Sequence, residues 1–246
     1  ALAMEYKGHN DMVRTISADK TGQYLLSGSD DGSAKIWEVN TGRCLRTIET
    51  GSVVRSVEWC PSGALSLALV ATGNEVLLIN PNVGDLQVCT ETDNLLKISP
   101  QSDVIVSERV RTAVQWTDPD DEMYTKGYRF VLKHFKEVAQ VTWHGKGDYF
   151  ASVMREGLNR SVLISQISKR KSQLPLSKSK GRVQHVLFHP SKPFFFIATD
   201  KHVRMYDLVK QTLLKKLLPN AKCISSIAIH PGGDNILVGT YDRKML

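Results

Sequence analysis

Three side chains near the start of the chain have the types that a hydrolase uses. Ser27, His9 and Asp31 could serve as nucleophile, general base and orienting carboxylate. With Trp37 after them, the same residues could instead form a buried chain of hydrogen bonds, in which Asp accepts from His, His meets Ser and Ser accepts from the indole N–H. Their spacing favours the second arrangement, because it follows a structural repeat of the chain.

Three histidines, His144, His189 and His230, have the side-chain type that binds zinc. Each follows a predicted strand at the same place in the repeat, so the repeat accounts for them, and side chains of neighbouring units do not easily converge on one ion. The chain also lacks the phosphate-binding pattern G-x-x-x-x-G-K-[ST]. We therefore predict no metal, no cofactor and no catalytic residue, in a protein that is not an enzyme.

Five segments share one pattern, an apolar strand followed by a polar turn that is mostly rich in Gly, Pro and Ser. They begin at Val13, Val54, Val138, Val183 and Ile224, with spacings of 41, 84, 45 and 41 residues. A period of about 40–45 residues, with four strands in each unit, is typical of WD-repeat β-propellers. The sequence thus predicts an all-β WD-repeat β-propeller, of which this chain holds about five of seven blades.

The first unit shows the repeat most fully. Gly8 comes before its first strand, and Glu38 ends its third strand where WD repeats usually have Asp. Four residues then match the buried tetrad of WD repeats, namely His9, Ser27, Asp31 and Trp37. Giving each buried polar group a partner avoids roughly 1–3 kcal/mol for every group left unsatisfied.

The repeat also predicts the division of the chain into blades. Blade 1 covers residues 8–50, blade 2 covers 51–136, blade 3 covers 137–180, blade 4 covers 181–220, and an incomplete blade 5 covers 221–246. Residues 1–7 are predicted to be an outer strand that closes the last blade of the ring, since closure leaves no exposed sheet edge.

The spacing of 84 predicts an insertion in blade 2 at residues 81–127. The third strand of this blade would be Glu75 to Ile79. Its outer strand would be Tyr128 to Leu132, at the offset before Val138 that residues 44–48 have before Val54. Acidic residues outnumber basic ones in the insertion, and residues 118–122 look like a loop. We expect the insertion to project from the blade and to offer Trp116 and Tyr124 to a partner.

The net charge of +7 is concentrated in one region. Residues 169–222 hold thirteen Lys and Arg against Asp200 and Asp207, a balance of +11, so the rest of the chain is slightly acidic. We expect these charges to lie on one rim of blades 3 and 4 and to contact RNA phosphates, although they could instead be a solvated strand edge. The candidate RNA-binding residues are Lys169, Arg170, Lys171, Lys178, Lys180, Arg182, Lys215, Lys216 and Lys222. Reversing the charges of Lys169, Arg170 and Lys171 should then weaken RNA binding and barely change the stability of the fold.

The sequence also bears on membrane contact, on secretion and on the state of the cysteines. No run of about 18 apolar residues is present, so no membrane contact is expected. The first residues have neither an initiator Met nor the pattern of a signal peptide, which suggests an internal piece of a longer chain. The four cysteines form no close pair and are expected to be reduced thiols of a cytosolic or nuclear protein.

Three segments resemble one family of WD-repeat proteins. Trp143 to Phe150, Phe188 to Phe194 and His230 to Asn235 are similar to the third-, fourth- and fifth-blade signatures of the Block of Proliferation ribosome-biogenesis proteins, also called eukaryotic ribosome biogenesis protein 1. The resemblance runs along nearly the whole chain. Cys223 departs from it, standing where Trp is expected, and the long N-terminal region and last blades of the family are absent from this sequence.

This resemblance implies a non-enzymatic scaffold in the biogenesis of the large ribosomal subunit, needed for pre-ribosomal RNA processing in the nucleolus and nucleoplasm. It also implies a trimer with pescadillo and a second WD-repeat protein, bound to the large-subunit precursor particle and its ribosomal RNA. The alternative is a generic peptide-binding WD-repeat adaptor, for example of a ubiquitin ligase. Such an adaptor should carry a basic or aromatic cluster at the mouth of the propeller channel instead of on the rim.

Overall fold

The computed structural model describes residues 3–98, 106–175, 181–219 and 223–246. Blade 1 is a four-stranded antiparallel sheet of β1 (Val13–Ala18), β2 (Tyr24–Ser29), β3 (Ser33–Glu38) and β4 (Cys44–Glu49). Blade 2 begins with β5 (Val54–Trp59), β6 (Ala68–Thr72) and β7 (Glu75–Ile79). Then come α1 (Leu86–Lys97), α2 (Glu108–Arg111), β8 (Val114–Thr117), α3 (Asp121–Thr125) and β9 (Tyr128–His134).

Blades 3 and 4 repeat the four-strand order, and blade 5 has two strands. Blade 3 consists of β10 (Gln140–Trp143), β11 (Tyr149–Val153), β12 (Val162–Gln166) and β13 (Lys171–Gln173). Blade 4 consists of β14 (Val183–Phe188), β15 (Phe194–Thr199), β16 (Val203–Asp207) and β17 (Thr212–Leu217). Blade 5 has β18 (Ile224–Ile229) and β19 (Ile236–Thr240). The all-β propeller expected from the repeat is confirmed.

The first strand of each blade is its inner strand, and the inner strands β1, β5, β10, β14 and β18 contact one another in that order. We call the end of the blades at which the inner strands begin the upper end, and the opposite end the lower end. The apolar faces of neighbouring sheets are buried against each other, and each of the main core clusters lies between two blades. This burial supplies the main stabilisation of the arc of blades.

Polar side chains of the inner strands also join neighbouring blades. Thr15 Oγ1 of β1 accepts from the backbone N–H of Val57 at 3.1 Å. Gln140 of β10 accepts from the N–H of Val186 and donates to its carbonyl, both at 2.8 Å. These bonds satisfy backbone groups that no ladder within a blade would reach, and so they fix the register of one blade against the next.

The side chain of Glu58 on β5 also accepts a backbone hydrogen bond from the next blade. This carboxyl group makes the free energy of unfolding depend on pH. Burial raises the pKa of Glu58 to about 7, although its carboxylate accepts from the N–H of Trp143 at 2.9 Å. Because the fold favours the protonated acid, this contribution to stability is fully present below about pH 4.5 and is lost as the pH rises to about 7. Glu58→Gln is expected to remove this fall, which is on the order of 3 kcal/mol.

The test is chemical denaturation between pH 4.5 and 8, with the exposed Glu49→Gln as the control. The control should keep the fall of stability seen in the unmodified protein. A Glu58→Gln variant that loses stability with pH as steeply as the unmodified protein would contradict the assignment.

The four tetrad residues of blade 1 form one hydrogen-bonded chain. His9 Nδ1 lies 2.8 Å from Asp31 Oδ2, His9 Nε2 lies 2.7 Å from Ser27 Oγ, and the indole N–H of Trp37 donates to the same oxygen at 2.8 Å. Since the carboxylate only accepts, His9 carries its proton on Nδ1 and Nε2 accepts from Ser27. Burial raises the pKa of Asp31, but hydrogen bonds from Ser33, the backbone and His9 outweigh it and hold that pKa below its ordinary value.

Blade 3 contains half of such a chain, which was not predicted from the sequence. His134 Nδ1 donates to the carbonyl of Leu132 at 3.0 Å, and its Nε2 accepts from Ser152 Oγ at 2.8 Å. Burial lowers the pKa of His134 to about 4, so the imidazole is neutral. Ser152 has the place in β11 that Ser27 has in β2, while Ser165 has the place in β12 that Trp37 has in β3. Blade 3 therefore has no indole at the tetrad position of its third strand.

The described part of the insertion, residues 81–98 and 106–127, does not project from blade 2 as expected but packs against it. Its strand β8 pairs with the outer strand β9 and makes blade 2 a five-stranded sheet. The run predicted as a loop, residues 118–122, contains the start of α3, whose first turn is capped by the side chain of Asp120 accepting from Met123 N–H. The predicted pairing of Glu75–Ile79 with Tyr128–Leu132 is present as the pairing of β7 with β9. The physical reason is that β9 has a free edge, which the insertion covers.

Residues 3–7 do not form the predicted outer strand. The strands with which they would pair belong to no part of the chain that the structure describes, so their backbone has no ladder to join. Instead, the ring of Tyr6 packs edge-on against Trp37 at 5.8 Å, and its hydroxyl donates to the carbonyl of Val39 at 3.0 Å.

Candidate nucleic-acid interface

Trp116 is not offered to a partner, contrary to expectation. Its indole N–H donates to Ser172 Oγ of blade 3 at 2.9 Å, and its ring packs against Phe130 at 5.6 Å. Ser172 Oγ also lies 2.8 Å from Ser165 Oγ, at the position where blade 3 lacks a tryptophan. The insertion thus supplies blade 3 with an indole from the neighbouring blade.

Tyr124 is also used within the chain. The guanidinium of Arg129 lies 3.9 Å above its ring and donates to its carbonyl at 2.8 Å. Arg129 also binds both carboxylate oxygens of Asp93 on α1, at 2.6 and 2.9 Å, and its side chain is 4% exposed. Both aromatic candidates of the insertion therefore hold it against the propeller.

Arg170 is a structural residue, although it was expected among the exposed charges. It donates to the carbonyl of Leu96 at 2.8 Å, lies 4.6 Å from the ring of Phe130 and pairs with Asp118 at 3.7 Å. We therefore expect that reversing its charge disturbs the fold, because α1 and β9 both contact this side chain.

The expectation that the basic residues of blades 3 and 4 lie together on one rim is also wrong. Lys171 is the first residue of β13 and pairs with the last residue of β12, which places it and the neighbouring Lys169 at the lower end of blade 3. In blade 4, Lys215 and Lys216 pair with Met205 and Arg204 in the upper half of the sheet. At about 3.3 Å for each residue, the two pairs differ in height by roughly 7–10 Å. Lys178, Lys180 and Lys222 lie outside the described residues.

Arg182 is separated from the rim altogether. It is exposed and directly precedes the inner strand β14, at the upper end of the blade, whereas Lys215 and Lys216 are on the outer strand. It lines a pocket with Arg55 and Arg155 near the inner strands of blades 2 to 4. A basic group therefore lies at the mouth of the channel, where the sequence argument placed the mark of a peptide-binding propeller.

A dense positive cluster remains on blade 4, and part of it was missed. Lys216 stands directly opposite Arg204, and Lys215 is next to it on the outer strand. Lys201 lies in the turn between β15 and β16 at the same end. We call Lys201, Arg204, Lys215 and Lys216 the blade-four cluster. The sequence analysis named only Lys215 and Lys216 of this cluster as candidates. The pairing of β16 with β17 adds Arg204, and the turn before β16 adds Lys201.

The electrostatics of His202 show how close these charges are. Burial first, and then the charges of Lys216, Arg204 and Lys201, lower its pKa. Like charges directly opposite each other across two strands are unfavourable to the sheet. A surface that keeps such a pair attracts a polyanion, whose phosphates would relieve the repulsion.

The three repeated histidines have a structural use. Nδ1 of His144, His189 and His230 each accepts a backbone N–H of the turn that follows, at 3.0–3.3 Å. Among the described residues, no three His, Cys, Asp or Glu side chains are grouped as a metal ion would require. All four cysteines are unpaired. None of the helices in the described ranges is long and apolar enough to cross a membrane.

Comparison with known proteins agrees with the repeat and with the resemblance. The family model described as WD domain, G-beta repeat matches residues 2–38. The ribosome biogenesis protein BOP1 homolog of Drosophila melanogaster is 60% identical to the chain over 244 residues, which are 99% of the chain and 31% of that protein. The protein of the same name from Aedes aegypti is 61% identical over 241 residues, covering 98% of the chain and 28% of the relative.

The chain thus spans about a third of the length of the curated relatives it matches. Identity of about 60% along nearly all of this chain leaves no doubt of common descent over the shared part. Over the part that they share, the chain is thus similar to the proteins named ribosome biogenesis protein BOP1 homolog, in agreement with the family that its third- to fifth-blade motifs resemble.

Proposed function

We propose that this chain is part of a non-enzymatic scaffold in ribosome biogenesis, and that the blade-four cluster holds precursor ribosomal RNA. The observation that carries the proposal is the concentration of Lys201, Arg204 and Lys216 around His202 on one corner of blade 4, with Lys215 next to Lys216 on the outer strand. The relatives are named ribosome biogenesis proteins, and RNA is the polyanion that a ribosome precursor offers. Phosphate contacts of this kind position a protein without reading the base sequence.

The finer parts of the proposal follow from the family. We propose a role in the large subunit and in pre-ribosomal RNA processing, in the nucleolus and nucleoplasm. The protein would act there in a trimer with pescadillo and a second WD-repeat protein, on the large-subunit precursor particle. A scaffold without catalysis suits the described side chains, because the Ser–His–Asp group of blade 1 is bound to Trp37 and serves the fold.

The test removes three lysines of the cluster and leaves Arg170 in place. Lys201→Gln, Lys215→Gln and Lys216→Gln together should weaken binding to single-stranded RNA and make the dependence of log Kd on log salt shallower by about two units, since each phosphate contact contributes about 0.7. Exposed lysines rarely contribute more than about 0.5 kcal/mol to stability, so the melting curve should hardly move. Preference among RNA sequences should stay the same.

The matched control changes three exposed lysines of other blades, Lys20, Lys133 and Lys146, to Gln. Both variants lose the same charge, so a general electrostatic effect would act on them equally. If the control flattens the salt dependence as much as the cluster variant does, the blade-four cluster is not the RNA contact and the proposal fails.

A further inference from the structure

A concave pocket of about 390 Å³ opens at the upper end of blades 2, 3 and 4. Arg55 is the second residue of β5, Arg155 follows β11 closely, and Arg182 comes just before β14, so three consecutive blades each contribute one arginine. Glu137 and Glu156 lie between them. We call these five residues the mouth pocket. Nothing in the proposed contact with RNA uses them, apart from the earlier expectation for Arg182.

In blades 1 and 4, the second residue of the inner strand is hydrogen-bonded to an acidic side chain of the same blade. Arg14, the second residue of β1, donates through Nε to both carboxylate oxygens of Asp30 at 2.8 and 2.9 Å, and Asp30 directly follows β2. Gln184, the second residue of β14, donates to Asp200, which directly follows β15. An acidic residue after the second strand thus pairs with the side chain at the start of the inner strand.

Blades 2 and 3 lack this internal pairing. Gly73 directly follows β6 and offers no carboxylate to Arg55, and Met154 directly follows β11. The ion pair that the structure gives Arg55 is a long one, 3.6 Å to Glu137. Nε of Arg155 is buried and has no acceptor among the described residues. A buried donor without a partner is costly, so this pocket is short of an acceptor.

We propose that the mouth pocket binds the carboxylate of an Asp or Glu side chain from a protein partner. A guanidinium pairs with a carboxylate through two parallel hydrogen bonds, and the incoming oxygens would supply the acceptor that Arg155 lacks. Three arginines and two glutamates give the pocket a charge of +1. That charge suits one carboxylate, whereas the two glutamates repel a chain of phosphodiesters.

His185 adds no charge to this balance. Burial first, and then the charge of Arg155, lower its pKa to about 4, so it is neutral at physiological pH. Its Nδ1 is also buried without a partner among the described residues. The attraction for a carboxylate therefore comes from the three arginines alone and should be constant between pH 6 and about pH 8.

The test measures binding of a labelled peptide that carries a single Glu among Gly and Ser residues to the full-length protein, by fluorescence polarisation. A peptide with Gln in place of Glu is the reference for charge. We expect the Glu peptide to bind at least tenfold more tightly, and Arg155→Gln and Arg182→Gln each to weaken its binding roughly tenfold, the worth of one charge-assisted pair. Because Arg182 is exposed, its variant should fold even if replacement of Arg155 disturbs the blade.

Lys146→Gln is the matched control, since this exposed lysine lies in the turn after β10 at the lower end of blade 3. It should leave peptide affinity within twofold, and the arginine variants should leave RNA binding by the blade-four cluster unchanged. The proposal is overturned if the Glu and Gln peptides bind alike, or if Lys146→Gln is as harmful as Arg155→Gln. It is also overturned if oligouridine RNA or inorganic phosphate occupies the pocket more tightly than the Glu peptide.

Discussion

Replacing Trp37 with alanine should lower the free energy of unfolding by about 3–5 kcal/mol. The side chain is 1% exposed, packs against Tyr6 and ends the hydrogen-bonded chain of blade 1 on Ser27 Oγ. Deleting the ring therefore removes buried aromatic area and leaves a cavity, and it also deprives the hydroxyl of a donor. Denaturant unfolding of the chain would measure the loss.

The hydrogen bond can be separated from the packing by a smaller change. Trp37→Phe keeps most of the ring and loses the indole N–H, and it should cost about 1–2 kcal/mol. Trp59 is the matched control, because it is also buried but its Nε1 has no acceptor among the described residues. Trp59→Phe should therefore cost less than Trp37→Phe. Equal costs for the two would mean that the indole bond of the tetrad contributes nothing.

Replacing Asp93 with alanine is expected to cost about 3 kcal/mol or more. The carboxylate binds the nearly fully buried guanidinium of Arg129 through two bonds and accepts a third from Asn80 at 2.8 Å. Hydrogen bonding to Arg129 and Asn80 lowers the pKa of Asp93 against the opposing, and largest, effect of burial. Removing one partner leaves an unpaired charge in the interior, which typically costs 3–5 kcal/mol.

Glu91 on the same helix offers the control for this change. It is exposed, and its carboxylate accepts only from Gln87 in the part of the chain that the structure describes. Glu91→Ala should lower the free energy of unfolding by less than about 0.5 kcal/mol. If Asp93→Ala and Glu91→Ala cost the same in denaturant unfolding, α1 is not docked on blade 2 through this ion pair.

The repeat allowed the fold and the blade-1 tetrad to be predicted, because both depend on spacing. Strand pairing imposes a period of two along each strand and of about 40–45 residues along the chain, and these periods are visible in a single sequence. His134 was missed although the same spacing marks it. It lies four residues before Val138, as His9 lies four residues before Val13, but it also ends the outer strand β9 of blade 2.

The insertion could not be predicted because its contacts are far apart in sequence. Asn80 stands where a WD repeat has Asp, and its amide instead donates to Asp93 and to the carbonyl of Cys89 on α1. Trp116 reaches Ser172 across 56 residues. An acidic stretch without strand periodicity gives no sign of such partners, so a docked segment and a loop look alike in the sequence.

The charge asymmetry was visible in the sequence, but its arrangement was not. A run of basic residues shows neither the height of a side chain on its strand nor whether it lies on an inner or an outer strand. Lys171, Arg182 and Lys216 therefore look like one group, and the structure places them at the lower end of blade 3, beside the channel and on the outer strand of blade 4.

The most direct test of the scaffold proposal is crosslinking of RNA to the tagged full-length protein in cells, followed by sequencing of the RNA recovered with it. We expect precursor ribosomal RNA of the large subunit to be enriched with the unmodified protein. The enrichment should persist with the Lys20, Lys133 and Lys146 control. It should fall sharply when Lys201, Lys215 and Lys216 are changed to Gln, at equal protein levels. Equal recovery of that RNA with both variants, or no enrichment of it with the unmodified protein, would contradict the account.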